Sequence, residues 1–324
     1  MLDPLRTAAL RHAKLVALVG DHTGASPRDV EFAGGAAVAH GDEIFVLAAD
    51  RRLLGGALVI AARRSAPRLH VVAESEAGIL ARRAPHWSLP VEVWEPDGRT
   101  LRSATPVDAP APVALPSAHG QFVEVIAAAG ADPVVEHGVL TGEVAGLEVC
   151  RVVDDPSSGE ARLEVGTGAH DREIFAMLHA DRPTVDALAD VVASVAAVRL
   201  ARSSGDRAHP LARLAPERAL RARLVADPAL VGACEVRPAP PPVPRTNLVD
   251  PAPSVAVATA PDGTETMLVC SAGVDLDAVP VAVDVRLSSA LPTTLVVPAR
   301  DAVPAQRLLA SLAAPPITVV ALAP

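Results

Sequence analysis

The stretch best equipped for chemistry lies near the middle of the chain. It runs Gly142-Glu-Val-Ala-Gly-Leu-Glu-Val-Cys-Arg-Val-Val153 and continues as Ala161-Arg-Leu-Glu-Val-Gly-Thr-Gly-Ala-His-Asp-Arg-Glu173. It reads as consecutive strands carrying acids at alternating positions and passing through glycines into a helix, a layout suited to a divalent metal or a phosphate. Gly166 and Gly168, between a strand and a helix opening at Asp171, would leave backbone amides free at the helix start, where an anion binds well. The plainer reading is that Asp171 caps its own helix, with Glu164 or Glu173 nearby. No Walker or dinucleotide fingerprint accompanies these glycines.

Arginines form the second candidate. Arg199 to Arg223 holds seven of them against only Asp206 and Glu217. Arg218, Arg221 and Arg223 share a helix begun by Pro216, and guanidinium forks match phosphate oxygens. The alternative is a solvated helix face pairing with acids. Aromatic residues make up 2% of the chain and none interleave here, so base stacking is not indicated. His137, His170 and His179, with Asp154, Asp155 and Asp171, suit a metal chemically, but no pair has the i,i+4 spacing of His-Glu-x-x-His. Cys270 ends an apolar strand and reads as core. Lys14 is the only lysine, so any lysine base, Schiff base or phosphate-loop lysine would have to be that residue.

These residues must be positioned by an α/β framework punctuated by prolines. Two proline-rich stretches, 105–118 and 237–253, read as semi-rigid linkers because proline lacks the amide donor. They delimit an N-terminal α/β unit (1–104), a middle α+β module (119–236) and a C-terminal α/β unit (254–324). The first unit is predicted as a helix near 4–14, a hairpin (36–40, 43–48), a helix (54–64), a strand (69–73), a helix (76–84) and a strand (91–94). The last repeats that order: a hairpin (254–258, 266–271) around Pro261-Asp-Gly263, a helix (276–286), a strand (294–297), a helix (303–312) and a strand (317–321). Short β-branched runs alternating with helical patterns signal a parallel α/β layer. Two similar ββαβαβ units flanking a different module point to an internal duplication. The competing explanation is that α/β segments of one biased composition look alike.

The middle module is expected to hold a helix (120–129), strands at 139–144 and 147–153 joined by the tight-turn pair Ala145-Gly146, a third strand (162–165) and then helices. Helix, three antiparallel strands, helix resembles the restriction-endonuclease-like core, the PD-(D/E)XK fold. That resemblance implies a Mg2+ or Mn2+ ion held by Glu148 and Glu164 with Glu124 added from the preceding helix, activating water against a phosphodiester. Gly166 stands where the family has lysine and Glu148 where it has aspartate, which implies a degenerate core and not a working nuclease.

Over its whole length the chain resembles a family of uncharacterised actinobacterial proteins, through Gly20-Asp-His-Thr-Gly24, Glu136-His-Gly138, Gly168-Ala-His-Asp-Arg-Glu173, Val243-Pro-Arg-Thr-Asn247 and Cys270-Ser-Ala-Gly-Val-Asp-Leu-Asp277. That resemblance carries no activity.

The 324-residue chain is long enough for two or three ordinary cores, and with no tyrosine and few other aromatics they must be built from Val, Leu, Ala and Ile. A formal net charge of −9 does not draw the molecule toward nucleic acid or an anionic membrane. Cys150, Cys234 and Cys270 are too few and too scattered for a disulfide framework or a cysteine-rich zinc site. They read as reduced, mostly buried thiols in a cytoplasmic protein. No segment has the length and apolarity of a membrane span.

Two functions fit. One is a nucleic-acid or phosphate-binding protein on a degenerate nuclease-like core, with Glu148, Glu164 and Glu124 as metal ligands and Gly166, Gly168, Arg218 and Arg221 as phosphate contacts. The other is a non-enzymatic scaffold or partner-binding protein, or a homo-oligomer, whose duplicated α/β units form the interface.

Overall fold

The structure, a computed structural model, describes residues 4–178, 184–199, 209–244 and 251–323. In chain order, the first elements are α1 (Pro4–Thr23), β1 (Arg28–Val30), β2 (Ala36–His40), β3 (Glu43–Ala48), α2 (Leu53–Arg63), β4 (Leu69–Ala73), α3 (Ala77–Arg83), β5 (Val91–Asp97) and β6 (Thr100–Ser103). Next come α4 (Ser117–Gly120), α5 (Phe122–Ala128), β7 (Asp132–Glu136), β8 (Val139–Val144), β9 (Leu147–Asp154), β10 (Ala161–Val165), α6 (Ala169–Leu178) and α7 (Thr184–Arg199). The chain closes with α8 (Pro216–Ala226), β11 (Glu235–Ala239), β12 (Ser254–Thr259), β13 (Glu265–Cys270), α9 (Ala278–Ser289), β14 (Thr293–Pro298), α10 (Pro304–Leu312) and β15 (Thr318–Leu322). The fold is mixed α/β with sheets of six, four and five strands.

Backbone contacts gather the chain into two compact units. One comprises Met1–Ala109, Val274–Leu295 and Ala299–Ala321; the other comprises Pro110–Gly273, Val296–Pro298 and Leu322–Pro324.

In the first unit the six strands lie in chain order, with β3, β4 and β5 parallel and the flanking pairs antiparallel. Strand alternation explains why both faces are apolar. Val38, Phe45, Leu47 and Val72 form a core with Leu15, Leu18 and Val19 of α1, while Val46, Val71 and Val93 point to the face crossed by α2 and α3. The helix expected to stop near residue 14 continues to Thr23, because Leu15, Leu18 and Val19 extend its buried stripe. In α2, Leu54, Ala57, Leu58 and Ala61 are buried at helical spacing. Gly55 of the same helix admits a near neighbour: a Cβ there would stand 2.1 Å from the Leu276 carbonyl oxygen.

The second unit holds an antiparallel sheet in the order β10-β9-β8-β7. One face packs Leu140, Val144, Cys150 and Val152 against Ile126 of α5 and Leu188, Val192 and Val195 of α7. The fourth strand, β7, was not expected from the sequence. Its Pro133 is tolerated because β7 is the end strand of its sheet. The Ala145-Gly146 turn forms as expected, with both residues at positive φ (46° and 79°), the two-residue geometry that matches strand twist. A Cβ on Gly146 would lie 2.3 Å from the Arg218 carbonyl, so glycine lets the α8 backbone close directly onto this hairpin. Strands β11, β12 and β13 are antiparallel with α8 packed on them. Residues 237–239, read from their prolines as linker, instead finish β11, an end strand that accommodates Pro238.

Candidate functional site

The face of the four-stranded sheet opposite its apolar core carries the charged residues that the sequence singles out. A bulge places them there. Gly142 pairs with Cys150 while the next residue, Glu143, pairs with Glu148, so Val149 is an extra residue and strand alternation breaks. Glu148 therefore shares a face with Arg151, which donates from Nε and Nη2 to its two carboxylate oxygens at 2.9 and 3.0 Å. Glu164 enters the same face by pairing in register with Arg151.

Glu148 and Glu164 do converge, and an arginine lies between them. Arg172, in the first turn of α6, places Nη1 3.2 Å from Glu148 Oε1 and Nε 3.4 Å from Glu164 Oε2. Arg162 holds the other oxygen of Glu164 at 2.8 Å. Glu148 is buried, with its side chain 4% exposed. Glu124 does not join them. It is exposed on α5, the helix that packs on the apolar face of the sheet. Among the described residues, no cluster of three or more His, Cys, Asp or Glu side chains could hold a metal ion.

The arginines read as phosphate contacts complete this charged layer. Arg218 donates from Nη2 to Glu136 at 2.5 Å, and its Nη1 lies 3.4 Å from Glu143 and 3.8 Å from Glu148. Arg221, 1% exposed, donates from Nη2 to both oxygens of Glu143 at 2.9 Å and from Nη1 to Glu136. Burial pushes the Glu136 carboxyl upward, but the Arg218 and Arg221 guanidinium groups outweigh it and hold the group below its ordinary value. Candidate acids and candidate arginines thus meet, and each neutralises the other. Arg202 and Arg207 lie outside the described residues.

In the glycine loop, the amides of Gly166 and Thr167 are taken by the protein's own groups. The Gly166 amide donates to the Val149 carbonyl at 2.7 Å, and the Gly168 carbonyl accepts the Arg172 amide at 2.9 Å. Asp171 Oδ2 takes the Thr167 hydroxyl at 2.6 Å and its amide at 3.3 Å, so a carboxylate from the first turn of α6 caps the loop where an outside anion was expected.

His170 is exposed at the start of α6, His137 sits in a turn at φ 51°, and His179 lies outside the described residues. His119, which spacing does not reveal, is buried and pairs through Nε2 with Asp154 at 2.8 Å. Cys150 and Cys270 are buried thiols pushed up to about 12 by desolvation, whereas Cys234 is exposed, so the thiols are mostly buried as expected.

A second buried ionic cluster lies in the first unit and was not visible in the sequence. Arg83, with its side chain 0% exposed, reaches Asp284 at 2.7 Å and Asp277 at 3.2 Å, and Arg82 reaches the other oxygen of Asp284 at 3.2 Å. Burial lifts the Asp277 carboxyl from 3.8 to about 7, against the pull of Arg83 and with Asp275 adding to the rise. A carboxyl raised on folding binds its proton more tightly in the native state. Its stabilising contribution is complete below about 4 and is lost as the pH rises through about 7. Urea midpoints measured from pH 5 to pH 8 are expected to show this loss in the parent and not in Asp277→Asn; equal slopes for both would refute the assignment.

Fold and site together define a mixed α/β protein whose charged sheet face is internally paired. No protein-family model matches the chain, and no curated protein or solved structure is similar to it at a significant level. None of its described helices is long and apolar enough to cross a membrane.

Proposed function

We propose that this is a non-enzymatic scaffold or partner-binding protein built from two copies of one α/β unit with a four-stranded module inserted between them. The observation that carries this reading is Arg172. A guanidinium occupies the space between Glu148 and Glu164, where a divalent ion would have to sit, and a fixed cation cannot supply the bound water that metal-assisted hydrolysis uses. The strand order of the first sheet supports it too. That sheet's sequential order contains no topological switch point, the place where open α/β sheets commonly hold ligands.

The duplication itself is supported by element order, which extends further than the expected ββαβαβ. Helix, three strands, helix, strand, helix, strand describes both α1 to β5 and α8 to β15. The first helix of each set packs on the second strand, α1 on β2 and α8 on β12. On this reading the arginine-rich helix belongs to the second copy. A reciprocal contact agrees with it. Ser88, just beyond α3, donates to Leu312 at 2.7 Å, and Ala314, just beyond α10, donates to His86 at 2.9 Å, around the bridge Trp87–Ala313. Exchanging 86–88 with 312–314 leaves that pattern unchanged, as in a two-fold contact between like subunits.

Calorimetric titration of Mn2+ and of Mg2+ into the full chain tests the proposal. No heat of binding is expected. Binding that disappears in folded Glu148→Ala and Glu164→Ala variants would overturn it and restore the nuclease-like reading.

A further inference from the structure

The α1-covered face of the first sheet ends in a row of polar groups that the proposed function does not use. His70 is at its centre, with its side chain 6% exposed. Its ring stacks on Phe45, centroids 4.1 Å apart and planes 7° from parallel. Trp94 donates from Nε1 to His70 Nδ1 at 3.1 Å, and Nε2 lies 3.0 Å from Glu43 Oε2. Since Nδ1 accepts the indole proton, the ring is neutral with its own proton on Nε2, donated to Glu43. A second carboxylate is already in place: Glu92 Oε2 stands 3.3 Å from the same Nδ1.

We propose that this row is a proton-operated latch on Trp94. Uptake of a proton from solvent at His70 Nδ1 turns that atom from acceptor to donor. The indole N–H then loses its acceptor, and the new N–H turns to Glu92. Trp94 packs against the Leu15, Leu18 and Val19 cluster, so releasing it loosens the seat of α1.

The charged and titratable neighbours are few. Glu43 comes from β3, Glu92 from β5, and Arg68 precedes β4 and pairs with both carboxylates. From α1, His22 lies against the indole, ring centroids 4.8 Å apart. With His70 neutral, the four groups His70, Glu43, Glu92 and Arg68 sum to −1; with His70 protonated the same four sum to zero. The two carboxylates thus favour the proton, while burial, the larger effect, holds the imidazole below its ordinary value. The latch therefore opens on mild acidification and stays shut at neutral pH.

Nuclear magnetic resonance of the full chain carrying Trp87→Phe leaves Trp94 as the single indole. Between pH 7.5 and 5 its indole N–H signal is expected to move with one inflection below about 6.5. The inflection should vanish in His70→Gln and persist in His22→Gln. In Glu92→Gln it should move to lower pH, because the acceptor for the protonated state has lost its charge. A signal flat across the range, or an inflection that survives His70→Gln, would overturn the proposal. Should His70→Gln fail to fold, the other two variants decide: an inflection that follows His22→Gln and ignores Glu92→Gln overturns it equally.

Discussion

Replacing Arg221 with methionine is expected to cost about 3–5 kcal/mol of stability, because it strands charges that the fold has already taken out of water. Arg221 is 1% exposed and engages Glu136 and both oxygens of Glu143, whose side chains are 11% and 3% exposed. Methionine fills much of the volume, so packing loss is a minor part of the effect and desolvated carboxylate the major one. Against a total of about 5–15 kcal/mol for a typical domain, such a loss shifts a urea midpoint far outside error. Two further readings identify the cause. Adding Glu143→Gln to Arg221→Met should recover part of the loss, since the pair couples directly. Acidification should also hurt the parent more than the variant. Glu136, held below its ordinary value by the arginines, contributes stability that is present at neutral pH and lost as the pH falls. A cost below about 1 kcal/mol would show the layer to be no stronger than a surface ion pair.

A loss approaching that size is expected above about pH 7, where Asp277 is ionised, for Arg83→Met in the other unit. Asp284 would keep Arg82, but Asp277 would lose its hydrogen-bonded guanidinium partner among the described residues. Arg83→Lys should rescue little, because three separate contacts from Nε, Nη1 and Nη2 need a planar fork that an ammonium cannot offer. Denaturation of the two variants side by side checks this: full rescue by lysine would mean that charge alone, without geometry, holds the site. At high pH the methionine variant should suffer most, because Asp277 is then ionised as well as buried.

How far the sequence could lead is clear from particular elements. The hairpin of β2 and β3, the helix α2 and the strand β4 were legible because burial on one or both faces imposes a local period. Strands β7 and β11 were not, since Pro133 and Pro238 argue against pairing unless the strand is known to lie at a sheet end. Glu148 and Glu164 were correctly placed on neighbouring strands. What surrounds them was not legible, because Arg172 reaches Glu148 across 24 residues and Arg221 reaches Glu143 across 78, and no local pattern records either meeting. Nor does the sequence announce the bulge at Val149, which turns Glu148 toward Arg151. The arginine helix was read for phosphate because its charge is local and visible, while the acids that absorb it come from a distant hairpin.

The reciprocal bridge at Trp87 and Ala313 has a thermodynamic consequence. Two separate chains meeting through such a contact would give up translational and rotational freedom on association, a cost of about 4–15 kcal/mol, and would part on dilution. Here one backbone carries both segments, so their meeting depends on the length and stiffness of the intervening chain and not on protein concentration. The bridge between Trp87 and Ala313 should therefore survive dilution of the protein unchanged.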